Sequence, residues 1–360
     1  MTLDTSLDAL ETAGLVQAVA KEPETEYEFR HGLLQETAYG LLLKRERKQL
    51  HQQVGAAIED RYPERTKEMA PILANHFLKG GHQKKALQYL RLAGENARNR
   101  FANAEALEHF TSALEVTREL NQPLDEADLL RERGLTFEIV GEFEAAQEDF
   151  EAGLSIGEEL EETKIQWSAL LDLGKLWAAK DYDLSGDYFK EALALARKID
   201  DAELIARSLN RLGNWHINVG NPKQAQSHHR EALEIFEALD DREGIAETLD
   251  FLGMSSMLSG DLISGAKYYE RAIDLLRSIN DKQRLVSSLV PYALRYNDSM
   301  AEPVVGADVA PKEPLANYDE AIELARELGW RAGESFALWS RAFLLNSLGR
   351  LDDAHNSGHK

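Results

Sequence analysis

The stretch "LNRLGNWHINVGNPKQAQSHHREALEIFEALDD" (209–241) returns 40 residues later as "LDFLGMSSMLSGDLISGAKYYERAIDLLRSIND" (249–281). Leu212-Gly213 falls on Leu252-Gly253, Gly220 on Gly260 and Ala232 on Ala272. Going backwards, Gly174 lies 39 residues before Gly213, and Gly134 lies 40 before Gly174. A fixed period of this size marks stacked supersecondary units, none of which can bury its apolar face alone. Leu233, Phe236 and Leu239 give the second half of the unit one apolar helical face. The glycine seven residues after the Leu-Gly pair can take the left-handed conformation that closes the first helix. Each unit then reads as helix A, a tight turn, helix B and a short acidic turn. Those turns, Asp200-Asp201, Asp240-Asp241 and Asn280-Asp281, supply N-cap candidates for the next helix.

The spacing resembles the tetratricopeptide pattern: Leu-Gly, then Gly at seven, Ala at twelve, an aromatic at sixteen and Ala at nineteen. Gly134 leads to Gly141, Ala146 and Phe150; Gly213 leads to Gly220, Ala225 and Ala232, with His229 at the aromatic position. Gly253 leads to Gly260, Tyr269 and Ala272, with Gly265 replacing an alanine, and Gly94 leads to Ala106, Phe110 and Ala113. The unit at Gly174 is one residue short and gives Ser185, Phe189 and Ala192. Small residues let the two helices approach, and the aromatic fills the space between them. The expected fold is all-α, a right-handed superhelical solenoid of the tetratricopeptide type. Two departures stand out. Ala272 to Ala321 spans 49 residues, and the extra length falls in "NDSMAEPVVGADVAPKEP" (297–314), whose three prolines exclude a continuous helix. The last unit, "ESFALWSRAFLLNSLGRLDDA", reaches only the start of its second helix, as expected for a piece of a longer protein.

The N-terminal third reads differently. "SLDALETAGLVQAV" is a helix running into a strand, "YEFRH" a second strand, and "GLLQETAYGLLLKRERKQLHQQVGAAIEDRY" one long helical stretch. Helix, hairpin, helix is the back half of a winged helix. Phe29 and Leu33 read as core, with Arg30 and His31 capping the helix that follows. The expected organisation is a partial winged-helix-like segment (1–62), a helical bridge with degenerate repeats (63–122) and repeats of about 40 residues (123–360).

"YEFRHGLLQETAYGLLLKRERKQLH", followed by "LANHFLKGGHQKKALQYLRLAGENA" and the repeats, resembles the C-terminal half of STAND-type signalling ATPases. That resemblance implies an upstream nucleotide-binding domain with Arg30 and His31 close to it, an interdomain role. The chain itself has no Gly-x4-Gly-Lys-Ser/Thr loop and no Asp-rich strand to hold magnesium, so no nucleotide or other cofactor is expected. Nor is there a His-Glu-x-x-His motif or a glycine-flanked serine elbow, and no residue can be named for enzymatic chemistry. His355 and His359, four apart near the C-terminus, could take a metal only adventitiously.

The chain has no cysteine, which excludes disulfides and thiolate sites and fits a cytoplasmic location. The first residues, with two aspartates and no base before Leu10, do not read as a secretory signal, and no apolar run is long enough to span a bilayer. Residues 1–100 carry 15 basic and 14 acidic side chains, and the remainder 26 and 49. The acidic repeats repel nucleic acid and anionic membranes, so neither is expected as a partner. The alternative is a transcriptional regulator touching DNA through the N-terminal segment, where Lys44, Arg45, Arg47 and Lys48 form a basic run.

The tetratricopeptide resemblance implies a concave face lined by helix A at six and three before the glycine, and at one, four and five after it. By register this face takes Arg207, Asn210, Asn214 and Asn218 around Gly213, and Glu247, Asp250, Met254 and Met257 around Gly253. Arg131 and Lys175 are the earlier equivalents. Amides grouped with a cation suit the backbone or carboxylate of a peptide, because asparagine donates and accepts at once. The expected function is a protein-interaction scaffold or sensor module whose partner is a protein, a peptide or a domain of the same full-length chain.

Overall fold

The computed structural model describes residues 3–20, 26–294 and 312–358. Of the expected loop at 297–314, only the last three residues lie among these, and they open a helix; the rest, like His359, lies outside the described residues. The N-terminal elements are α1 (Leu3–Thr12), β1 (Val16–Ala20), β2 (Glu26–Phe29), α2 (Gly32–Leu41) and α3 (Lys44–Arg61). The strands form an antiparallel hairpin with Val16 opposite Phe29, as the helix-hairpin-helix reading expects. The long helical stretch, however, is broken. Leu42 and Leu43 are extended, and the Glu46 carboxylate accepts from the Leu43 N–H at 2.9 Å, capping a new helix.

The helices that follow are α4 (Ala70–Lys79), α5 (Gln83–Asn99), α6 (Asn103–Leu120), α7 (Pro123–Val140), α8 (Phe143–Glu159), α9 (Thr163–Trp177) and α10 (Tyr182–Lys198). Then come α11 (Ala202–Asn218), α12 (Pro222–Leu239), α13 (Arg242–Leu258), α14 (Leu262–Ile279), α15 (Lys282–Leu294), α16 (Lys312–Glu327), α17 (Arg331–Ser347) and α18 (Leu351–Gly358). From α5 onward the odd-numbered helices are A and the even-numbered B, an all-α repeat solenoid. The chain divides into two compact units, Met1–Asp149 and Phe150–Lys360, a division inside α8 that differs from the expected boundaries at 62 and 122. Within the first unit α3 to α7 pack each on the next, so neither of those positions interrupts the stack.

The acidic turns divide their work between two residues. The first residue, Asp200, Asp240 or Asn280, takes a left-handed φ of 54–59° and ends helix B. The second, Asp201, Asp241 or Asp281, accepts a backbone N–H of the next helix A at 3.0–3.1 Å. Between A and B the expected glycines close the helix, with φ of 85° at Gly141, 79° at Gly220 and 84° at Gly260.

Close approach of A to B is equally local. A methyl group added at Gly174 would stand 2.5 Å from Phe189 Cε1, and one at Gly253 would stand 2.7 Å from Tyr269 Cε2. The same conflict arises at Gly213 with His229 and, in the first unit, at Gly94 with Phe110. Leu173, Leu209, Leu212, Leu249 and Leu252 on the A helices and Ala232, Phe236, Ala272 and Leu276 on the B helices are buried around these contacts.

Gly253→Ala should therefore destabilise the protein by about 1–3 kcal/mol, since Tyr269 has no room to retreat. Urea denaturation followed by circular dichroism measures this, and an unchanged midpoint would mean that the two helices do not meet as closely as described.

Candidate interaction face of the repeat helices

The A helices of the second unit lie side by side, α9 beside α11, α11 beside α13, α13 beside α15 and α15 beside α17. Hydroxyls at a 40-residue period tie them together. Ser208 on α11 accepts from Trp167 Nε1 of α9 at 2.8 Å. Thr248 on α13 accepts from Asn210 Nδ2 of α11 at 2.8 Å, and Ser288 on α15 donates to Asp250 Oδ1 of α13 at 2.6 Å. All three hydroxyl side chains are buried. Spacing at 208, 248 and 288 was open to sequence inspection, but serine and threonine there read as ordinary helix residues.

These bonds decide where the expected face residues sit. Asn210 does not line a surface: it is 1% exposed, with its amide held by Thr248 and its Oδ1 at 3.2 Å from His229 Nδ1. The expectation for this residue is corrected, because its bonds to Thr248 and His229 turn its side chain into the joint between α11, α12 and α13. Asn214 is half-buried and Asn218 exposed, and among the described residues neither makes a side-chain hydrogen bond. Arg207 is held by Glu203 at 2.9 Å and lies 3.7 Å from Asp241; Lys175 is held by buried Asp172 at 2.8 Å. Glu247 accepts from Arg211 at 2.6 Å. Asp250 is half-buried on α13, and Met254, one turn further, is exposed. Arg131, in the first unit, is half-buried on α7.

His229 fills the aromatic position and is fully buried, not merely packed. Accepting oxygen on Asn210 requires that Nδ1 carry the proton, which leaves Nε2 buried with no partner among the described residues. Burial, reinforced by the positive field of His228, Arg211 and His216, pushes its pKa down to about 3. Asp250 moves the other way: burial raises it to about 6, Glu247 adds to the rise, and Ser288 and Arg284 oppose it.

The N-terminal candidates fare differently. Arg30 and His31 are exposed; the Arg30 N–H donates to Leu15 O at 3.1 Å, and His31 stands at the N-cap of α2 without a side-chain cap bond. Phe29 and Leu33, expected in the core, are 40% and 74% exposed, because no described element covers that side of the hairpin and α2. Sequence reading also missed the end of the array. Phe336, Trp339 and Phe343 on α17 stack with ring centroids 6.5 and 5.8 Å apart, and all three are exposed, Trp339 by 60%. They occupy the positions six before, three before and one after Ala342, which stands where other units have glycine. Carrying the register into the last unit would have found them.

Two stability changes with opposite sign follow from the shifted groups. A neutral His229 contributes fully above pH 6.5 and loses that contribution as pH falls towards 3, because only the unfolded chain takes up the proton. His229→Phe, which copies Phe189 and Phe150 at the same position, should flatten the acid side of the stability–pH profile. For Asp250, the raised value means that stability is complete below the ordinary 3.8 and is lost as pH climbs through about 6. Asp250→Asn should be more stable than the parent at pH 7 and equal to it below pH 4. Urea midpoints across pH 3–8 test both, and parallel profiles would contradict the burial that motivates them.

The tetratricopeptide repeat family matches residues 176–238. An uncharacterised protein of Rhizobium meliloti (strain 1021) is 28% identical over 134 residues, which span 37% of this chain and 13% of that protein. Among solved structures, the STAND protein with a tetratricopeptide repeat sensor from Pyrococcus horikoshii aligns with a TM-score of 0.56 at 16% identity, covering 100% of this chain and 59% of that one. The Rap conjugation gene regulator of plasmid pLS20, in complex with the Phr* peptide, gives 0.53 at 15% identity and 78% of both chains. Likeness at these identities concerns fold alone. Among the described residues no helix is long and apolar enough to cross a membrane. The chain carries tetratricopeptide repeats, and its fold is that of an all-α repeat solenoid.

Proposed function

We propose that this chain is an interaction scaffold or sensor module of a signalling protein, taking a peptide or a partner domain on the concave face of its repeats. The observation that carries the reading is the ladder of Phe336, Trp339 and Phe343. Three exposed, stacked aromatics on one helix face form an apolar surface that a peptide, a partner domain or a following repeat would cover, and tryptophan in particular dominates binding energy where it is covered. Within the second unit they share the face register with Lys175, Arg207, Asn214, Asn218 and Asp250, and Arg131 holds an equivalent register position in the first. The peptide carried by the pLS20 regulator, a protein of similar fold, supports the same use of the scaffold.

The N-terminal segment fits a partner domain, as in STAND-type signalling ATPases. Arg30 and His31 are exposed, and so are the apolar side chains of Phe29, Leu33, Leu41 and Leu43 in the same segment, which a second domain of the same full-length chain would cover. The module binds and relays; no catalytic step is assigned to it.

Panning a phage-displayed random heptapeptide library against the full chain tests this reading. Enriched peptides should bind by fluorescence anisotropy, and Trp339→Ala should weaken them by about tenfold or more, as for a central aromatic anchor. No enrichment over a bait-free control, or binding indifferent to Trp339, would overturn the proposal.

A further inference from the structure

Charge on the A-helix face of the second unit is almost entirely spoken for. Lys175 is neutralised by Asp172, Arg207 by Glu203 and Asp241, and Glu247 by Arg211. Asp250 is the exception. Its Oδ1 accepts from the Ser288 hydroxyl at 2.6 Å, but among the described residues no lysine or arginine bridges it. The neighbouring cation, Arg284, is engaged by Asp281 at 3.2 Å and lies 3.8 Å from Glu243. A carboxylate so placed has lost much of its hydration without gaining a counter-ion, and such an anion is normally either paired or neutralised.

A second observation concerns the same place. Tyr269 on α14 is fully buried, its ring is pressed against Gly253 one turn from Asp250, and its hydroxyl has no hydrogen-bond partner among the described residues. That hydroxyl lies within the field of Asp250. In Phe110, Phe150 and Phe189 the equivalent position carries no polar atom, so packing alone does not require one here. Beside the carboxylate the surface turns apolar: Met254 and Leu258 follow it along α13 at one and two turns, 38% and 62% exposed.

We infer that Asp250 is the anchor for a lysine or arginine side chain of the bound peptide, with the aliphatic stem of that residue or its neighbour lying on Met254 and Leu258. This rests on the peptide-binding reading above and narrows it to a basic, partly apolar segment. The long-range field agrees, since the acidic balance of residues 101–360 draws cations towards the repeats. Charge complementarity selects this occupant: an acidic peptide would add a third carboxylate beside Asp250 and Glu247, and a neutral one would leave Asp250 desolvated and unpaired.

The test uses the random heptapeptide library on the full chain and on Asp250→Asn, an isosteric change that keeps the acceptor for Ser288 and removes the charge. Lysine or arginine should be enriched at one position with the parent protein and lost with the variant. Replacing that basic residue by citrulline or norleucine in a synthetic peptide should weaken binding about tenfold to the parent and leave binding to Asp250→Asn unchanged, as for a charge-assisted hydrogen bond. Met254→Ala, which keeps the carboxylate, should weaken the peptide without altering the preference for a base. Enrichment with no basic preference, or a preference that survives in Asp250→Asn, would overturn this inference while leaving the scaffold reading intact. Absence of any enriched peptide would overturn both. N-acetyl-arginine amide binding as tightly as the peptide would assign the site to a free cation instead.

Discussion

Four repeats of this chain, those at Gly94, Gly174, Gly213 and Gly253, are organised around one contact, the seat of an aromatic ring on a glycine of the facing helix. The ring at Phe189, His229 or Tyr269 occupies the volume that a β-carbon on Gly174, Gly213 or Gly253 would fill. That contact sets the distance between A and B, and the distance fixes which side chains of helix A turn inward. Leucines beside the glycine enter the core, the buried hydroxyls at 208, 248 and 288 reach the neighbouring A helix, and what remains forms the accessible face. Close packing makes these choices discrete, because a core at crystal-like density does not deform gradually.

The ring position also records a change of chemistry along the array. Phenylalanine at 110, 150 and 189 gives way to His229, Tyr269 and Tyr318, all buried, and each of the later three carries a polar atom without a partner among the described residues. Asn210 and Asp250 stand on the A helices of the first two of these units, so polarity enters the core and the face together. A hydrophobic core gains nothing from such atoms; each orphan costs about 1–3 kcal/mol relative to a satisfied group. The second half of the array has therefore given up stability at the positions nearest its accessible face. Sites of binding commonly carry this kind of local cost.

Much of this was legible in the sequence, and the reasons for the gaps are physical. A 40-residue period survives because the glycine–ring contact and the acidic turns tolerate few substitutes, so the helix pairs and even the roles of Gly220 and Gly260 could be read directly. The capping function of Asp201, Asp241 and Asp281 was visible for the same reason, whereas the left-handed residue before each was not, since asparagine and aspartate serve both purposes. The face was read less well. Register predicts which positions lie near the surface, but Asn210 bonds across to Thr248, a partner 38 residues away that no local pattern announces. In the N-terminal segment Phe29 and Leu33 were assigned to a core on apolarity alone, and apolarity cannot say whether the covering surface belongs to the same fold.

The paired turns have a kinetic consequence. Each of α6, α8, α10, α12, α14 and α16 is followed by its own left-handed residue, and each of α11, α13 and α15 begins on the aspartate next to that residue, so the bonds that start and stop a repeat span no more than five positions. Nothing distant has to be in place before a pair can form. Chains dominated by such short-range closure fold fast and can nucleate at any repeat, with the end units opening first. The aromatic ladder of α17 thus sits on a helix pair that opens and closes by its own short-range bonds, and a ligand that settles on it would act first by holding that pair shut.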